Sequence, residues 1–287
     1  METAIAEARA LDVPAMVATF HPHPMTVTAP ERAPAALSSL ARRVALIGEV
    51  GADEVVVIRF DRALASRSAE DFAEHVLVDA LGARAVVVGV DFRFGHDRRG
   101  DPVLLQASGA RNGYAVTSVP LLELDGERVS STRIRERIRV GDVDGAAKLL
   151  GRPPEVEGAV IRGDARGREL GVPTANLAVP PGYALPAEGV YSGVAVLPRG
   201  LGARRAAISI GTNPTFAGTR DVRIEAHLLD FDDDLYGSPL RLELRRYLRA
   251  QQAFADLDDL VRQMDDDIAQ ARAEPLPDSR RIGAGER

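Results

Sequence analysis

The 287-residue chain has no cysteine and no tryptophan. Without cysteine there can be no disulfide framework and no thiolate metal site. Phe, Tyr and Trp together supply 5% of the residues, too few for a surface on which nucleic-acid bases stack. Long apolar runs are missing as well. No stretch approaches the ~20 residues needed to cross a bilayer, and no charged-then-apolar signal segment opens the chain. Basic charge is not in excess: the formal net charge is −6, opposite in sign to what a phosphate backbone selects. These absences predict a soluble cytoplasmic protein with no nucleic acid and no membrane among its partners. They leave room for a local basic pocket that takes a nucleotide.

What is present is an ordinary globular balance, 45% hydrophobic and 27% charged, with enough chain for two domains of about 150 residues. The first half alternates. Helical spacing at 2–11, 38–50, 69–81 and about 101–112 is interleaved with Val- and Ile-rich runs at 15–20, 54–60, 84–91 and near 115–122. Continuous apolar strands between helices mark a parallel sheet covered on both faces, so the pattern predicts a doubly wound α/β domain over residues 1–150. After Gly151-Arg152-Pro153-Pro154 the segments become short, β-branched and alternating. That change predicts a small antiparallel barrel followed by an amphipathic helix at 256–272, the two forming a domain of 151–273. A Pro-, Gly- and Arg-rich tail, 274–287, is expected to be disordered.

The second half holds the densest polar motifs. In Gly163-Asp164-Ala165-Arg166-Gly167-Arg168-Glu169-Leu170-Gly171, glycines allow backbone amides to approach phosphate oxygens, and arginines add charge. The same glycines would also suit a plain hairpin turn. Pro173-Thr174-Ala175-Asn176 follows. Thr174 and Asn176 lie two apart on an extended segment and so share a face, where neutral oxygens suit Mg²⁺ or, equally, a polar edge strand. Downstream come Ser209-Ile210-Gly211-Thr212-Asn213-Pro214-Thr215-Phe216 and Ile224-Glu225-Ala226-His227. Glu225 and His227 alternate with apolar residues on one strand face. There Glu225 could accept a hydroxyl proton, whereas His227 is expected to be structural. In the first half, Ser130-Ser131-Thr132-Arg133-Ile134-Arg135 opens a helix, a place that binds phosphate or simply needs a cap.

These clusters, in this order, resemble the riboflavin kinase family from about Glu155 to Arg272. The resemblance implies a β-barrel that takes ATP and Mg²⁺, with Thr174 and Asn176 as metal and phosphate ligands. It also implies that Gly163, Arg166 and Gly167 line the phosphates and that Glu225 is the base at the ribityl 5′-hydroxyl. Thr19-Phe20-His21-Pro22-His23-Pro24, Gly89-Val90-Asp91-Phe92-Arg93-Phe94-Gly95 and SSTRIR resemble the adenylyltransferase half of bifunctional bacterial FAD synthetases. That half implies a nucleotidyltransferase-like fold, flavin contact near Asp91 and Phe92, and phosphate contact at Ser130, Ser131, Thr132 and Arg133. Riboflavin, FMN and ATP are the implied small-molecule partners.

One departure stands out. The family's first strand and its Gly-x-Phe-Asp-Gly-x-His-x-Gly-His loop are not found here, and His21 and His23 sit instead at the end of what should be the second strand. The first domain is therefore expected to be incomplete, with unpaired strand edges. Two explanations are open: Met1 is an internal methionine of a longer protein, or the first domain is a relic. The activity predicted is phosphorylation of riboflavin to FMN, with adenylylation to FAD if the first domain works. The alternatives are a kinase alone or a flavin- and nucleotide-binding module without catalysis.

Overall fold

A computed structural model describes residues 1–163, 171–198, 200–214, 220–254 and 256–277. Arg166, Gly167, Thr215, Phe216 and the tail from 278 onward lie outside the described residues. The chain divides into two compact units, Met1–Pro34 with Leu40–Arg128, and Ala35–Ser39 with Val129–Arg287.

The first unit runs α1 (Glu2–Ala10), β1 (Met16–His21), α2 (Pro24–Thr28), α3 (Leu40–Glu49), β2 (Glu54–Arg59), α4 (Arg62–Ala65), α5 (Ala69–Phe72), β3 (Ala85–Gly89), α6 (Pro102–Asn112), β4 (Ala115–Val119) and a small hairpin of β5 (Glu123–Leu124) and β6 (Glu127–Arg128). Local chemistry sets several of these boundaries. Asp101 caps α6 through Leu104 N–H, Pro102 occupies its first turn, and Gly113 closes it at φ 79°. The helix expected over 69–81 is α-helical only to Phe72 and continues as a π-helix over Ala73–Ala80. From this segment Val76 and Leu77 both pack on the cluster formed by Phe72, Phe94 and Leu105.

The expected alternation and parallel pairing are present, but the sheet is split. β1 pairs in parallel with β2, and β3 in parallel with β4, as two separate two-stranded sheets. Among the described residues no ladder joins β1 to β3, although Phe20 of β1 and Val86 and Val88 of β3 pack on one apolar cluster.

The second unit continues with α7 (Ser131–Arg139), α8 (Val143–Leu150), β7 (Glu155–Ile161), β8 (Ala175–Ala178), β9 (Gly189–Val196), β10 (Ala203–Pro214), β11 (Arg220–Leu228), β12 (Pro239–Arg249) and α9 (Leu257–Arg272). Its six strands close into an antiparallel barrel in the order β10-β11-β8-β7-β12-β9. Alternation aims Ile208, Ile210, Ile224, Leu242 and Leu244 inward, where they are essentially unexposed. Each such side chain contributes about 1.5–3 kcal/mol when taken out of water. β9 is buried along its whole length. α9 packs against β9 and β10, and the ion pair between Arg249 and Asp267 at 2.7 Å ties it down.

Two details depart from the sequence reading. The tail expected to be disordered from Glu274 is fixed at that residue. Glu274 is buried, Ser192 Oγ donates to its carboxylate at 2.6 Å, and Arg205 Nε donates to its carbonyl at 2.7 Å. Residues Ala35–Ser39 lie within the second unit: Ala36 bridges Tyr183, Ser39 N–H donates to Glu157, and Leu37 packs with Ile134, Ile138 and Ala146.

Candidate active sites

The outer face of the barrel carries a polar row in register. Asn176 on β8 stands opposite Glu225 on β11, and Glu225 stands opposite Ser209 on β10. Directly opposed residues leave a sheet on the same side. One position along, Leu177, Ile224 and Ile210 oppose one another in the same way inside the barrel. The row is therefore external, on strands whose other face is locked in the core.

Asn176 is buried, and the chain leaving β7 closes over it. A Cβ placed on Gly163 would lie 2.3 Å from Asn176 Nδ2, so only glycine permits this approach. Thr174 is half-buried on the same segment. Glu225 keeps 30% of its side chain exposed, with Arg223 Nε 3.4 Å from its Oε1. His227, two residues further along the same face, has Nδ1 2.8 Å from the Pro173 carbonyl oxygen. A carbonyl only accepts, so Nδ1 carries the proton there. His227 thus anchors the residue before Thr174, the structural role expected of it. The structure brings Gly163, Asn176 and Glu225 together, and Thr174 lies on the segment that leads into β8.

Ser209 and Gln251 both stand in sequence motifs that assign them no role, and the structure joins them. Gln251 Nε2 donates to Ser209 Oγ at 2.9 Å and to the Ile210 carbonyl at 3.1 Å. The two residues lie 42 positions apart, so no local pattern could have linked them.

In the first unit, Asp91 and Phe92 follow β3 at its C-terminal end, where parallel α/β sheets bind ligands. Five phenylalanines run in contact through this region: Phe60, Phe20, Phe72, Phe94 and Phe92, with Phe92 and Phe94 stacked at 5.4 Å. Gly95, at φ 72°, brings the loop against Ala69, where any Cβ would fall 2.6 Å from backbone. Asp91 pairs with Arg128. Arg43, which sequence reasoning missed, reaches Thr19 Oγ1 and the Phe20 carbonyl at the end of β1. His21 ends β1, and His23 caps α2.

Ser130, Ser131, Thr132 and Arg133 belong to the second unit. Ser130 Oγ accepts from Arg133 N–H, so the capping role is realised. Ser131 and Thr132 are exposed at the first turn of α7. Arg135 is committed elsewhere: Nε donates to the Ala35 carbonyl, and burial lowers its pKa.

Residues 1–133 match the FAD synthetase family and residues 150–274 the riboflavin kinase family. The chain is 42% identical over 271 residues to a bifunctional riboflavin kinase/FMN adenylyltransferase of Pseudomonas fluorescens, spanning 94% of this chain and 86% of that one. It is 40% identical over 266 residues to the Escherichia coli protein of the same name, spanning 93% and 84%. A crystal structure titled as a macrolide-efflux protein from Streptococcus pneumoniae superposes with a TM-score of 0.83 at 31% identity, over 96% of this chain and 88% of that one. Among the described residues no helix is long and apolar enough to cross a membrane. Extended similarity across both halves, joined to the barrel and its polar row, places the chain in the bifunctional riboflavin kinase/FMN adenylyltransferase family.

Proposed function

We propose that the chain phosphorylates riboflavin to FMN on the outer face of its barrel, with ATP as donor. The observation that carries this reading is the register of Asn176 with Glu225, with Gly163 closed onto Asn176. Glu225 would take the proton of the ribityl 5′-hydroxyl as that oxygen bonds to the γ-phosphorus. The bond from phosphorus to the β,γ-bridging oxygen breaks, and ADP leaves with the electron pair. Gly163, with Arg166 and Gly167, would line the phosphates.

Thr174 and Asn176 fit Mg²⁺ by the chemistry of their donors. Both offer neutral oxygens, which suit a hard cation that keeps phosphate oxygens and waters in its shell. Among the described residues no group of three or more His, Cys, Asp or Glu side chains forms an all-protein cage. Bound there, Mg²⁺ would neutralise charge on the phosphoryl oxygens, which is most of what phosphoryl transfer requires.

The test is Glu225→Gln. Turnover of riboflavin should fall by about 10²–10⁴ with both KM values little changed. Full turnover in this variant would remove the base assignment. Asn176→Ala should move the Mg²⁺ dependence to higher concentration. Tight riboflavin binding with no ATP turnover in the parent protein would favour a binding module instead.

A second activity, adenylylation of FMN to FAD, is supported by the Asp91–Phe94 loop at a strand end, by the row of phenylalanines, and by the family match over residues 1–133. Asp91 and Phe92 would contact the flavin, and Ser130, Ser131, Thr132 and Arg133 the phosphates. Incubating the protein with FMN and ATP checks it, and no FAD would reject it.

A further inference from the structure

We infer that Ser209 and Gln251 form the acceptor side of the barrel site and read the hydroxyls next to the one that is phosphorylated. The inference rests on the kinase reading above and gives that reading a direction across the sheet.

The polar row has an order. Asn176, covered by the chain leaving β7 at Gly163, lies to one side of Glu225, and Ser209 lies to the other. If phosphate is held at the Asn176 end, the alcohol attacks from the Ser209 end, and the rest of the acceptor extends over β10. The groups waiting there are fixed. Gln251 lies across the outer face of β10, where Gly211 offers bare backbone; a Cβ at 211 would stand 3.4 Å from Gln251 Nε2. The Ile210 carbonyl can only accept, so the amide must present its NH₂ group to it. The second N–H of that group meets Ser209 Oγ.

Both amide hydrogens are thereby used, and Gln251 Oε1 is left as an acceptor. Ser209 has spent a lone pair on Gln251, a bond that leaves its own O–H to donate. One donor and one acceptor, held rigidly side by side and adjacent to the base, complement neighbouring hydroxyls of a polyol, each of which both donates and accepts. An acceptor bound only through an apolar ring would need neither. A site that hydrogen-bonds a substrate hydroxyl discriminates against the analogue lacking it far better than an apolar pocket discriminates by size, because the site's polar groups are then left unpaired.

The experiment compares riboflavin with 4′-deoxyriboflavin, which keeps the 5′-hydroxyl and lacks its neighbour. Binding is read by quenching of flavin fluorescence, and turnover by FMN-type product. The parent protein should prefer riboflavin about tenfold or more, the worth of a hydrogen bond left unmade. Ser209→Ala and Gln251→Leu should bring that ratio close to one with the KM for ATP unchanged, and Ser209→Thr should restore it. Equal losses on both flavins, with the ratio intact, would mean a structural role and overturn the inference. A parent protein indifferent to the 4′-hydroxyl would overturn it too. Glu225→Gln separates the two layers: it should lose turnover while keeping the binding preference. Turnover retained in Glu225→Gln would count against the base, while the binding ratios would still decide on Ser209 and Gln251.

Discussion

The two units solve the same problem, satisfying strand backbones, with different success. In the barrel every strand has a neighbour on each side, and the order closes on itself. Its inward residues reach zero or near-zero exposure, including Tyr191, Ile208, Ile210 and Leu242. In the first unit β1 and β3 each pair along one edge only among the described residues, and their residues are mostly half-buried. The lesson concerns what rigidity the two sites can draw on. Asn176, Glu225 and Ser209 stand on strands pinned by a ladder on both sides and by a dry core beneath. Asp91 and Phe92 follow a strand pinned on one side only.

Paired cavity mutants would break this comparison most directly. Leu242 and Leu105 are equally unexposed, at 0% and 1%. The cost of Leu→Ala depends on whether the surroundings can collapse into the void. A closed barrel resists collapse, so Leu242→Ala should cost about 4–5 kcal/mol, whereas Leu105→Ala, below a split sheet, should cost about 2–3 kcal/mol. Chemical denaturation followed by amide exchange in each unit measures both. Equal losses would show that the split sheet does not soften the first core.

The barrel is also braced from outside. Arg249 Nε and NH2 both bond Asp267, whose side chain is almost completely buried, and this pair joins the end of β12 to α9. Removing one partner of a buried pair leaves the other charge uncompensated. Asp267→Ala should therefore cost about 3 kcal/mol and speed exchange in β9, which α9 covers. If α9 stays docked and exchange is unchanged, the barrel is rigid without its brace.

How much of this was legible in the sequence follows from the range of the interactions. Period-two alternation over Leu240, Leu242 and Leu244, and Val/Ile runs between helices, are local signals, and both fold classes could be read from them. Caps were legible for the same reason: Ser130 lies three residues from the amide it binds. The placement of Thr174, Asn176 and Glu225 came from motif resemblance, and register then supplied what spacing could not, namely that Asn176 and Glu225 are opposite one another. Gln251 was illegible because its partners are set by closure of the barrel. The burial of Glu274 was hidden because composition described its neighbours, while Ser192 and Arg205 decide its fate.

Within the barrel, the segment before Thr174 is a test on a smaller scale. It hangs on β11 through the bond from His227 to the Pro173 carbonyl. His227→Phe removes that donor and should cost about 1 kcal/mol. Because Thr174 follows Pro173 directly, the KM for ATP should rise while the KM for riboflavin stays. A rise in both would mean that the segment also shapes the acceptor side.

The smallest expected effect lies at the turn between α7 and α8. Asp142 caps α8 through Gly145 N–H and receives Arg137 at 2.7 Å. Burial works to raise its carboxyl, but the Gly145 amide, the Arg137 hydrogen bond and charge, and Lys148 together hold it below its ordinary value of 3.8. A folded-state value below the unfolded one means the unfolded chain takes up a proton more readily. The contribution is then complete above about pH 4, the usual unfolded Asp range, and disappears as pH falls through the lowered folded value. Asp142→Asn keeps a capping oxygen and removes only the charge. Parent and variant should differ in stability at neutral pH and converge at low pH. A gap that persists undiminished at low pH would assign the role of Asp142 to capping geometry alone, and the charge of Arg137 would play no part in holding the two helices together.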